Sequence, residues 1–137
     1  MKQNVGRTSQ LIAADARNEH EQLIVRLLAD PTKREAMEWL NDDRGGGKRT
    51  VGSCATNQDS MKFVREIYDL GATEVFVVNV HSRPKDAGER TGKLVVALPQ
   101  NPKHRRAIFD WCKGQGDSLG FTPDPDRGES HLFLLLD

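Results

Sequence analysis

Residues 74–80 read Glu-Val-Phe-Val-Val-Asn-Val, and no other stretch narrows the fold as much. β-Branched side chains crowd a helix at Cβ but pack well on a pleated surface, so this run predicts a strand. Successive side chains of a strand point to opposite faces. Phe76, Val78 and Val80 therefore share one face, and Val75 and Val77 share the other. Both faces are apolar, as in a sheet covered on both sides. Residues 93–98 and 131–136 repeat the pattern, with Leu132, Leu134 and Leu136 alternating with Phe133 and Leu135.

Helical signals lie between these strands. Residues 50–55 read as a short strand weakened by Gly52. Thr56-Asn57-Gln58-Asp59 then fits a capping box, with aspartate in place of the preferred Glu or Gln. Phe63, Val64, Ile67 and Tyr68 form a stripe at helical spacing, and Gly71 suits the left-handed residue that ends a helix. Asn101-Pro102 opens another helix, with Ile108, Trp111 and Cys112 on one face and Gly114 and Gly116 to stop it. Strands 74–80 and 93–98 are separated only by the polar loop 81–92, so they form an antiparallel hairpin. The order strand, helix, strand, strand, helix, strand over residues 49–137 predicts an α+β, ferredoxin-like βαββαβ domain. Its four-stranded antiparallel sheet carries both helices on one face, each in a right-handed crossover. A flavodoxin-like arrangement needs a helix where loop 81–92 stands.

The other face of such a sheet requires a cover. Residues 1–48, an N-terminal helical segment and Gly-rich linker, are expected to pack there, in cis or from a second subunit. Ile24, Leu27 and Leu28 recur at helical spacing beside Leu23 and Val25. Asp30-Pro31 reads as the N-cap and first residue of a second helix, with Ala36, Met37, Trp39 and Leu40 on its apolar face and residues 41–43 at its end. Arg44-Gly45-Gly46-Gly47-Lys48-Arg49 marks the boundary between the two parts.

Composition restricts the function classes. Lys plus Arg is 20 and Asp plus Glu is 20, so the formal charge is zero. A general binder of nucleic acid or acidic membrane carries a basic excess. Apolar residues at 36% and aromatics at 6% make a small core and leave surface for a partner. No stretch approaches the roughly 20 apolar residues of a spanning helix. No apolar segment follows the N-terminal methionine, and two cysteines cannot build a disulfide framework. The expected location is the cytoplasm.

Residues with reactive chemistry are few. Strand 50–55 delivers Cys54 just before a helix N-terminus, where backbone amides lower a thiol pKa. Ser53 and Asn57 flank it, so this junction is a candidate ligand site. A cysteine-phosphatase loop needs an arginine where Ser60 stands, and a metal-chaperone loop needs a second cysteine at Val51 or Asn57. The ordinary role for Cys54 and Cys112 is burial as small apolar groups. His81, at a strand end, is the histidine best placed for function, with Arg83 and Lys85 beside it in the loop as binding candidates. His20, His104 and His131 share no metal-ligand spacing with it or with each other. His131 reads as a half-exposed residue at a strand start.

Other motifs fail on inspection. Asp124, Asp126, Gly128 and Glu129 imitate a calcium loop, but Arg127 takes the third ligand position. Gly47-Lys48 is followed by Arg49 and precedes a strand, so it is not a phosphate loop. Strands 50–55 and 93–98 lack the aromatics on which RNA-recognition motifs stack bases. Lys103, Arg105 and Arg106, with His104, form a basic cluster read as a solvated helix face. The expectation is a soluble, non-catalytic protein-interaction or regulatory module that binds a protein partner or itself, with no cofactor, metal, membrane or nucleic acid. A small-ligand sensor, binding at the strand–helix junction or a dimer interface, is the alternative. A cysteine-dependent enzyme using Cys54 is the second.

Overall fold

A computed structural model of the chain describes residues 19–82, 88–119, 126 and 128–136, without the side chains of 115–119. The elements in order are helix α1 (residues 19–28), β1 (Arg34–Glu35), α2 (Ala36–Asn41), a 3-10 turn (Asp43–Gly45), β2 (Thr50–Val51) and α3 (Asn57–Asp69). They continue with β3 (Glu74–Val78), β4 (His81–Ser82), β5 (Glu89–Thr91), β6 (Lys93–Ala97), α4 (Pro102–Leu119) and β7 (His131–Leu135). The fold is mixed α+β, with a four-stranded antiparallel sheet ordered β1-β3-β6-β7 and a smaller sheet ordered β2-β5-β4.

The ferredoxin-like order is not the one observed. It would seat residues 50–55 inside the four-stranded sheet, whereas β1 takes the fourth place at the edge of β3. The predicted strand at 50–55 lasts only two residues and runs parallel to β5 in the smaller sheet. Gly52, at φ +55°, turns the chain away after Val51. The crossover by α4 also differs, because β6 and β7, which it joins, are antiparallel neighbours.

The predicted hairpin is present and longer than its expected strands. β3 pairs with β6 and β4 pairs with β5 in one unbroken register, so much of the polar loop 81–92 is ladder. The hairpin is interrupted at Asn79, which has φ +51°, and at Gly92. The Thr91 hydroxyl donates to the Val78 carbonyl across that interruption. Outside it, Asp30 accepts from Asn79 N at 3.1 Å and Thr32 Oγ1 accepts from Val80 N at 3.0 Å.

Asp30 is thereby occupied elsewhere and does not cap α2. It closes a turn onto Thr32 N and Oγ1, and residues 34–35 go to the sheet. The cap is Glu35, whose carboxylate accepts from Met37 N at 3.0 Å and Glu38 N at 2.8 Å. Tyr68 donates its hydroxyl to the same carboxylate and accepts from Val75 N, tying α2, α3 and β3 together.

The sheet is apolar on both sides, and each side has its own cover. Val75, Val77, Leu94, Val96, Leu132 and Leu134 face α2, α3 and α4, whose buried residues include Trp39, Ile67 and Ile108. Val78, Val95, Phe76 and Phe133 face Ile24, Leu27 and Leu28 of α1. Helices α1 and α2 thus lie on opposite faces. α3 begins at Thr56, whose hydroxyl accepts from Asp59 N at 3.0 Å. It ends in the double hydrogen bond of a Schellman turn, Gly71 N to Tyr68 O and Ala72 N to Ile67 O, with Gly71 at φ +117°. α4 begins where expected, with Asn101 Oδ1 accepting from Lys103 N and His104 N. It does not stop at Gly114 or Gly116 but runs to Leu119. A helical glycine costs about 1 kcal/mol relative to alanine, which neighbouring turns absorb.

Candidate functional site

The strand–helix junction is built for packing. Ser53 is exposed, Cys54 is half-buried and Asn57 is half-buried. The Asn57 amide nitrogen donates to Leu40 O at 3.1 Å and Arg49 O at 2.8 Å, so it staples α2 to the start of β2. The Cys54 thiol lies among apolar neighbours of the main core. Burial, with Asp59 adding a smaller push, raises its pKa above the ordinary thiol value of 9.0, against a hydrogen bond with Ser60 that lowers it. Cys112 is 2% exposed, and burial pushes its thiol up to about 12.

The loop candidates separate. His81 is exposed, with Nδ1 near the Asn79 carbonyl at 3.4 Å. Arg83 and Lys85 lie outside the described residues, as do Asp124 and Arg127 of the acidic loop. Asp126 pairs with Arg105 at 2.7 Å, and that guanidinium, chiefly by hydrogen bonding, holds its carboxyl down to about 2. Of the basic cluster on α4, Arg105 is therefore engaged, while Lys103, His104 and Arg106 are exposed. Among the described residues, no group of three or more His, Cys, Asp or Glu could hold a metal ion.

The glycine-rich segment at 44–49 is anchored at both ends. Asp42 pairs with Arg34 at 2.8 Å and Arg44 at 2.9 Å, and hydrogen bonds from Arg44 first and Arg34 next hold its carboxyl well below the usual range. Arg49 is buried, donates to Trp39 O and Glu89, and lies over the Trp39 ring.

A strand edge left without a guard among the described residues is the feature that the residue motifs missed. β7 is the last strand of the larger sheet. Ser130 O accepts from Leu98 N, and Leu136 N donates to Gly92 O, which fixes the parity of the ladder. Even-numbered residues of β7 turn their peptide groups toward β6, so His131, Phe133 and Leu135 turn theirs outward. The His131 carbonyl accepts from His20 Nε2 of α1 at 2.8 Å. The outward peptide groups of Phe133 and Leu135 meet no partner among the described residues.

The edges at β1 and β2 are protected in familiar ways. β1 has two residues, both charged, and passes straight into α2. Beside β2, the Ser60 hydroxyl, itself buried, accepts from Val51 N at 3.0 Å. β7 instead has five residues and no Asp, Glu, Lys or Arg. Its Leu135 is 43% exposed and Val25 of α1 is 66% exposed, the exposed large hydrophobics among the described residues. Both lie on the α1 side of the sheet, Leu135 by its parity with Phe133. Between α1 and the start of β7 opens a cleft of about 310 Å³, lined by Ile24, Val25 and Leu28 with His20, Glu129 and His131. Ser130 Oγ stands 2.7 Å from His131 Nδ1 at its rim. The available signal was the run of residues 132–136, apolar at both parities and free of charge; nothing in it says which neighbour is missing. No known protein family, curated protein or solved structure matches the chain.

Proposed function

We propose that the chain is a non-catalytic interaction module that captures an extended protein segment by strand addition to β7. The carrying observation is the outward peptide groups of Phe133 and Leu135, unpartnered among the described residues, on a strand with no charged residue or proline of its own. Strand addition draws its affinity from such main-chain groups and its selectivity from pockets for alternate side chains. The cleft between α1 and β7 supports this reading, with the size and apolar lining to take one such side chain. Against the cysteine-enzyme reading stands the raised thiol of Cys54. Against the sensor reading at residues 53–57 stands the commitment of the Asn57 amide to two backbone carbonyls. A reducing cytoplasm, where Cys54 and Cys112 stay as thiols, suits the proposed module.

Amide exchange, followed by NMR on the full chain, tests this reading. Titration with extended apolar peptides, including one copying residues 130–136, is expected to protect the Phe133 and Leu135 amides. The exposed-edge substitution Leu135→Lys is expected to abolish that protection, and Cys54→Ser to leave it intact. Peptide binding that spares those amides, or amides that exchange freely both in the chain alone and with every peptide, would refute strand addition at β7.

A further inference from the structure

Resting on the strand-addition reading, we infer that the segment captured by β7 is β7 of a second copy of this chain, paired antiparallel about a two-fold axis at Phe133. The axis follows from parity. Only His131, Phe133 and Leu135 turn peptide groups outward. Centring the pair on Phe133 sets each Phe133 opposite its counterpart and each Leu135 opposite the other copy's His131. Every outward N–H then meets an outward carbonyl. His131 O already accepts from His20, but a carbonyl has two lone pairs and takes both donors.

Side chains support the same register. Residues directly opposite on antiparallel strands lie on the same face, about 5.5 Å apart at Cα in a hydrogen-bonded pair. Leu135, 43% exposed in the single chain, is thus delivered to the other copy's His131, which lines the 310 Å³ cleft. Val25, 66% exposed, lines the same cleft and is covered by the incoming leucine. One operation therefore buries both exposed large hydrophobics, each against the other, as an isologous contact requires. Charge does not oppose it, because the formal net charge is zero and β7 carries no Asp, Glu, Lys or Arg. A different partner would need its own leucine-bearing strand to fill this cleft; a second copy brings one in this register.

Sedimentation velocity on the full chain across a wide concentration range reads the proposal. A dimer is expected, and Leu135→Asp is expected to weaken it about 100-fold or more, because the added carboxylate is delivered beside Glu21 and Glu129 of the cleft in place of an apolar contact. Circular dichroism and the melting temperature check that the variant still folds. A second variant probes the axis: Phe133→Cys in a Cys54→Ser background. Cα atoms about 5.5 Å apart suit a disulfide, so mild oxidation is expected to link two chains through position 133. A dimer indifferent to Leu135→Asp and unlinked by Phe133→Cys overturns this inference. A chain that stays monomeric, yet gains amide protection at Phe133 and Leu135 on adding an extended peptide, also overturns it and leaves strand addition standing. A monomer with no such protection overturns both.

Discussion

His131 sits where three features meet: the end of β7, the rim of the cleft and the contact with α1. Burial first, and the nearby charge of His20 second, hold its imidazole below the ordinary 6.5. Ser130 and the buried Glu129 are its other polar neighbours at the cleft. The consequence for stability has a definite sign. With the folded value below the unfolded one, the unfolded chain takes up the proton first. The contribution of neutral His131 is complete above pH 6.5 and declines as pH falls through 6.5, levelling off below the folded value. Urea midpoints between pH 8 and pH 5 are expected to fall on the acid side, and His131→Gln to flatten that part of the profile. An unchanged slope in the variant would assign the acid sensitivity to other groups. Residue-scale chemistry of this kind was only partly legible. His131 was readable as a half-exposed strand start, but its partner on α1 is remote in sequence.

At the scale of elements, α3 shows how much a local signal can specify. Thr56 caps its start, Gly71 ends it, and Val64 and Ile67 of the predicted stripe are buried. Each depends on residues within one or two turns, so each could be read from the chain. Gly71 has an added constraint: a Cβ there would lie 2.7 Å from His104 Cβ of α4, on a backbone at φ +117°. Gly71→Val is therefore expected to cost about 2–3 kcal/mol or more, since strain and overlap act together. Urea unfolding checks it, and equal stability would remove the assigned cap. Elements whose ends depend on remote partners were misread. Asp30-Pro31 has the local form of a helix start, but its carboxylate goes to Thr32 and Asn79. Residues 81–92 look like a loop, but the register of β3 and β6 carries through them.

At the scale of the molecule, residues 19–48 are woven into the rest. β1 edges the larger sheet, α1 and α2 cover opposite faces, and Arg49 joins α2 to β5 through Trp39 O and Glu89. Breaking a buried, hydrogen-bonded arginine is costly, though Glu89 and Asp42 keep access to water or other arginines. Arg49→Met is expected to cost about 2 kcal/mol, less than the loss of a fully buried pair. One cooperative unfolding transition for the variant, at a lower urea midpoint, is the expected result. A separate early transition for residues before 49 would show instead that the segment folds by itself.

The sequence by itself determined the elements that rest on near neighbours: the apolar two-faced strands, the central hairpin, the caps of α3 and the start of α4. Backbone propensity, period and capping act over a few residues, so they can be read in order along the chain. The tertiary structure alone decided which strands are neighbours. β1 displaced residues 50–55 from the four-stranded sheet, because Gly52 bends that strand away and Arg34–Glu35 reach the edge of β3. It also decided that β7 has no second neighbouring strand among the described residues, with Leu135 and Val25 exposed beside it. An edge is the absence of a neighbour, a property of the assembled sheet that no run of residues carries.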